Sequence, residues 1–120
     1  MGCDIHTFVE YKLWNDGGMR TGCEIWVARD YTLFGLMAGV RGSDLPDVPP
    51  RGIPDGLSDE VQNEYIRCGT DAHTESWLTL GELTTVLARH PHRDMELART
   101  LMNITDQQGR DPRLVFWFDN

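Results

Sequence analysis

The sequence predicts an α+β fold: a small sheet of about three strands, an N-terminal hairpin plus a C-terminal strand, with about four helices packed on one face. Three observations carry this. Residues 3–14, CDIHTFVEYKLW, are rich in β-branched and aromatic types. The chain ends in a second such run, RLVFWFDN. Between them, apolar residues recur at the i, i+3, i+4, i+7 spacing of amphipathic helices. With 120 residues, the chain is expected to form a single domain over 1–120. A domain of that length buries roughly two thirds of its unfolded surface, so it needs neither disulfides nor a structural metal to fold.

In the first strand Cys3, Ile5, Thr7, Val9, Tyr11 and Leu13 make a largely apolar face, while Asp4, His6, Phe8, Glu10, Lys12 and Trp14 make a mixed, polar one. Asn15-Asp16-Gly17-Gly18 supplies the positive-φ residues of a hairpin turn, and residues 24–29, EIWVAR, read as the return strand. Leu33, Leu36, Met37 and Val40 form a helical stripe, with Asp30 as N-cap and Gly42 just past the end. Residues 43–57 contain Pro46, Pro49, Pro50 and Pro54 and read as an ordered loop.

Ser58, Asp59 and Glu60 start a second helix, because acids favour its positive end; Val61, Tyr65 and Ile66 are its expected buried side and Gly69 its C′ residue. Thr79-x-x-Glu82 is a capping box that opens a third helix ending at His90-Pro91. A fourth runs from about residue 94 to 104, with Leu97, Leu101 and Ile104 inward. In the last strand Leu114, Phe116 and Phe118 alternate with Val115, Trp117 and Asp119. Both faces are mostly apolar, which predicts a covered, central strand paired with the first.

A net charge of −8 excludes non-specific nucleic-acid binding, which needs clustered Lys and Arg, but leaves room for a pocket holding one nucleotide. Cys3, Cys23 and Cys68 are odd in number and none has CxxC spacing, so reduced thiols in a cytosol are expected. No apolar run approaches a membrane span, the N-terminus lacks signal-peptide character, and His6 stands where an acylation motif wants Ser or Thr. No membrane partner is expected; a homo-oligomer is compatible with the sequence.

The densest chemistry is a repeated Asp-x-His: Asp4-Ile5-His6 on the first strand and Asp71-Ala72-His73 before the third helix. An aspartate beside a histidine fixes its tautomer and raises its basicity. Two such histidines facing one cleft would serve as general base and acid for phosphodiester cleavage. The same four side chains would alternatively hold a divalent metal that activates water, although no spacing matches a strong zinc pattern and no metal ligands are assigned. Glu10, Glu75 and Asp119 are further acidic candidates. The structural alternatives are a turn capped by Asp71 and a hydrogen-bonded strand residue at His6. Cys3 falls on the apolar face and reads as a buried thiol.

Phe8, Trp14 and Trp77 flank these polar groups and are candidates to stack a nucleobase. Trp26 and Trp117 read as core. Arg29, Arg41 and Arg51 are placed to meet phosphates. No Walker loop, dinucleotide fingerprint or nucleophile elbow is present.

The blocks MGCDIH, RDYTLFGLMAGVRG, DAHTESWLTLGEL and VFWFDN together resemble a family of small proteins encoded by bacteriophages and bacterial genomes. The resemblance covers most of the chain outside residues 15–22 and 90–111. It implies a phage or prophage accessory protein of the host cytosol and carries no activity with it; because phage proteins of this size often block a host defence system, an anti-defence role is the expectation from that context. The expected function is action on a nucleotide-like ligand. The alternatives are a non-catalytic sponge for a nucleotide signal, or an acidic inhibitor of a basic host defence protein. The acidic run Asp44, Asp47, Asp55, Asp59, Glu60 and Glu64 motivates the last.

Overall fold

A computed structural model of the chain describes residues 2–14 and 18–120. Met1 and most of the expected turn, Asn15-Asp16-Gly17, lie outside the described residues. The elements run β1 (Asp4–Lys12), β2 (Arg20–Glu24), α1 (Tyr31–Ala38), α2 (Asp59–Cys68), a 3-10 turn (Gly69–Asp71), β3 (His73–Leu78), α3 (Leu80–Arg89), α4 (Arg93–Gln107) and β4 (Arg113–Asp119). The sheet is antiparallel in the order β2-β1-β4-β3. As the apolar alternation of β4 predicts, that strand is central and pairs with β1, Ile5 opposite Phe118 and His6 opposite Trp117.

The fold is α+β, with four strands where about three were expected. The extra strand is β3, which reads in sequence as a loop. Its register shifts between His73 and Ser76, and Thr74 sits there at φ 55°, a left-handed conformation uncommon outside glycine. That bulge breaks the alternation by which a strand is recognised. β2 also lies earlier than expected. Beyond Glu24 the Ile25 N–H still donates to the sheet, to the Thr7 carbonyl at 2.9 Å. Residues 25–27 keep alternating in burial past the last register pair, Phe8 opposite Glu24: Ile25 and Val27 are buried, while Trp26, expected in the core, is 78% exposed.

Helices cover both faces of the sheet, not one. Ile5, Val9, Leu114, Phe116 and Phe118 pack against residues of α1, α3 and α4. On the reverse face Phe8, Val115 and Trp117 pack against Val61, Tyr65 and Cys68 of α2 and against Ile53 and Leu57 of the proline-rich loop. The reason lies in β4, whose two apolar faces each require cover.

Helix α4 is rotated from its expected face, and α2, which packs Val61 and Tyr65 on the sheet as expected, departs at one residue. In α4 the buried residues are Met95, Ala98, Met102 and Thr105, while Leu97 and Ile104 are 61% and 49% exposed. Both stripes fit a helical period. The observed one accompanies the His92 N-cap and a bond from the Ala28 N–H to Asp94 Oδ2 (3.0 Å) at the start of the helix. On α2, Ile66 is exposed while Val61 is buried. Helix α1 closes at Gly39 (φ 74°), one turn before Gly42. Gly42 instead lies against Gly35, where a Cβ would come within 2.5 Å of the Gly35 Cα.

Asp30 joins three helix ends. Its Oδ1 accepts the Leu33 N–H at 3.1 Å, capping α1, and its Oδ2 meets His90 Nε2 at 2.7 Å, where α3 ends. His92, the N-cap of α4, lies 3.9 Å from the same oxygen. Partial burial pushes the carboxyl up, but the bonds from His90 and Leu33 outweigh it and hold Asp30 below its ordinary value. A lowered folded value stabilises the fold above the unfolded pKa of about 3.9 and loses that contribution as pH falls through the folded value. Between pH 5 and pH 2 the urea midpoint of the wild type is therefore expected to fall further than that of Asp30→Ala. Parallel pH profiles would contradict this role.

Candidate functional site

The C-terminal end of β4 and the N-terminal end of β1 meet at one edge of the reverse face. Asp119 pairs with Asp4, and both point to the same side as His6 and Trp117. The His6 ring stacks on Trp117, 5.7 Å between centroids and 13° between planes, which fixes its orientation. Its Nε2 is 2.5 Å from Asp119 Oδ2 and 3.9 Å from Cys68 Sγ. An imidazole nitrogen of His6 also lies within 4.8 Å of carboxylate oxygens of Glu24 and Glu64, which are equally close to each other.

These groups border a cleft of about 530 Å³ lined by Asp4, His6, Glu24, Trp26, Arg29, Glu64, Arg67 and Asp119. Arg29 bonds Asp4 at 2.6 Å, and Arg67 bonds Glu64. Those guanidiniums hold the Asp4 and Glu64 carboxyls below their ordinary values.

The structure therefore splits the repeated Asp-x-His. Asp119, not Asp4, partners His6, because Arg29 takes Asp4. His73 stands on the opposite face: its register partner is Phe118, on which its ring stacks at 6.2 Å, while His6 stacks on Trp117. Neighbouring residues of one strand point to opposite sides, so the two histidines do not share a cleft. His73 bonds Thr74 Oγ1 (2.9 Å) and Asn120 Oδ1 (3.2 Å). Asp71 is exposed in the 3-10 turn.

The expected ligand-binding residues are also elsewhere. Phe8 is buried under Trp117. Glu10 is fully buried, 2.8 Å from Arg113 and accepting the Ser58 N–H at 2.7 Å, and so is structural. Trp14 is exposed beyond the end of β1. Trp77 lies under the Arg51 guanidinium, 4.3 Å from its centre. Arg51 bonds Glu82, which also completes the Thr79 capping box, so its charge is spent on the start of α3. Arg41 lies over the Tyr31 ring at 5.7 Å. Cys3 is buried as expected, and burial pushes its thiol up. Within the acidic run Asp47 meets Arg89, Glu60 accepts from Thr21, and Glu64 meets Arg67.

Glu24, Glu64 and Arg67, which line the cleft, and Cys68, which approaches His6, are site residues that sequence reasoning missed. A signal for Cys68 existed. It follows Val61 and Tyr65 at i, i+4, i+7, the stripe of α2 that faces the sheet, and shares a helix face with Glu64 at i−4. No helix among the described residues is long and apolar enough to cross a membrane. No protein-family model, curated protein or solved structure matches the chain.

Proposed function

We propose that this chain binds a nucleotide-like ligand in the His6–Asp119 cleft and cleaves a phosphodiester there, with His6 at the reacting centre, by acid–base or metal-assisted chemistry. The observation that carries this reading is the 2.5 Å contact between His6 Nε2 and Asp119 Oδ2 at the edge of an open cleft. A carboxylate so placed orients the imidazole and fixes its tautomer, as positioned proton transfer at a phosphodiester requires. The exposed Trp26 ring offers a face for a base, and Arg29 and Arg67 offer donors to a phosphate. By its resemblance to phage-encoded proteins, the chain would act in a host cytosol against a nucleotide signal used in defence.

One observation favours sequestration as a second reading. The cleft holds a single histidine, His73 being on the other face, so the paired acid and base of the first expectation are not assembled. Incubation with a panel of linear and cyclic nucleotides, followed by denaturation and chromatography, separates the two. New products from the wild type support cleavage; a bound nucleotide released intact supports sequestration; no bound or altered nucleotide overturns both.

A further inference from the structure

We propose that His6, Cys68 and Asp119 form a binding site for a divalent cation of the zinc class. The inference deepens the reading of the same cleft, because it supplies what that cleft lacks for a phosphate. Among the charged residues that line it, the carboxylates of Asp4, Glu24, Glu64 and Asp119 face the guanidiniums of Arg29 and Arg67 alone, which leaves an excess of two negative charges. Both arginines are already engaged by Asp4 and Glu64. A divalent cation would balance that excess and add its own attraction for a phosphate to that of the two arginines.

The donor geometry agrees. Ligand atoms of His6, Cys68 and Asp119 lie within 4.8 Å of one another. Cys68 and Asp119 both approach the same ring nitrogen, Nε2, at 3.9 and 2.5 Å. A nucleophile–base–carboxylate triad would instead need the thiol and the carboxylate on different nitrogens of the ring. Convergence on one nitrogen places all three donor atoms where a single ion could meet them.

In a tetrahedral zinc site, bond lengths of about 2.0–2.3 Å put neighbouring donors about 3.3–3.6 Å apart. Contracting the contact to sulfur and lengthening the one to oxygen, each by less than about 1 Å, reaches that arrangement through side-chain rotation. A nitrogen, a thiolate and a carboxylate suit zinc better than magnesium or calcium, which prefer oxygen alone. Three protein donors leave a fourth position for water or a phosphate oxygen, the pattern of catalytic zinc sites. Binding displaces the thiol proton of Cys68 to solvent and leaves the His6 proton on Nδ1.

The test uses the full chain and Co(II) as a spectroscopic stand-in for zinc, with no nucleotide present. One equivalent is expected to give a thiolate-to-cobalt charge-transfer band and the intense visible bands of a four-coordinate ion. Cys68→Ser should abolish the charge-transfer band and weaken competitive zinc binding at least roughly tenfold, while Cys23→Ser leaves both unchanged. Circular dichroism confirms that each variant is folded, and Asp119→Asn, which should also weaken zinc binding, provides a second variant that leaves the thiol in place. Absence of the band in the wild type, or its persistence in Cys68→Ser, overturns the site. Cobalt bound without any nucleotide affinity upholds the metal site and sinks the nucleotide reading; nucleotide bound equally with and without chelator, and no cobalt spectrum, does the reverse.

Discussion

His6→Ala is expected to lower phosphodiester turnover by at least about a hundredfold, the usual contribution of one positioned proton-transfer group. The loss should fall on turnover more than on folding. His6 is only partly buried, and its stacking partner Trp117 remains packed by Phe8 and Tyr65. The variant should keep the wild-type circular dichroism spectrum and unfold cooperatively. His73→Ala is the informative control. The earlier pairing of the two histidines would make both variants inactive, whereas their placement on opposite faces leaves His73→Ala with wild-type turnover. Equal loss in both variants, or no loss in His6→Ala, contradicts the assignment of the cleft.

Glu10→Ala should destabilise the protein by about 3–5 kcal/mol, the cost of removing one partner from a buried ion pair. The Glu10 side chain is fully buried and that of Arg113 is 13% exposed. Removal of the carboxylate strands the guanidinium and leaves the Ser58 N–H without its acceptor at the start of α2. Arg113 also donates to the Asp55 and Gly56 carbonyls, so the pair pins the proline-rich loop to the sheet. Denaturant midpoints of Glu10→Ala and of the double variant Glu10→Met/Arg113→Met measure this. The double variant should recover much of the loss, because no charge is then buried alone. A Glu10→Ala midpoint equal to that of the wild type would return Glu10 to the list of ligand-binding candidates.

Much of the architecture was legible in the residues. The two apolar faces of β4 foretold a central strand, and the Thr79 capping box fixed the start of α3. The bulge at Thr74 hid β3, because recognition of a strand relies on unbroken alternation. In α4 two stripes satisfied one helical period, and tertiary contacts chose between them. For the site, the sequence pointed to His6 and named Asp119 only as an outlying acid. The pairing of these two, 113 positions apart, depends on the β1–β4 register, which no local pattern encodes. Asp4 looked like the natural partner because it lies two residues away on the same strand face; Arg29, arriving from the segment after β2, decides otherwise. Glu10 looked like a site residue because a charge on a strand suggests an exposed face, and its buried partner lies 103 positions away.

The most direct measurement is a backbone amide NMR titration of the wild-type chain with the nucleotide panel, with and without Zn²⁺. Binding at the cleft predicts shifts confined mainly to residues 4–6, 24–29, 64–68 and 117–120, larger when zinc is present. Shifts centred instead on Arg51, Trp77 and Glu82, or on His73 and its neighbours in β3, would contradict a functional centre at His6 and Asp119.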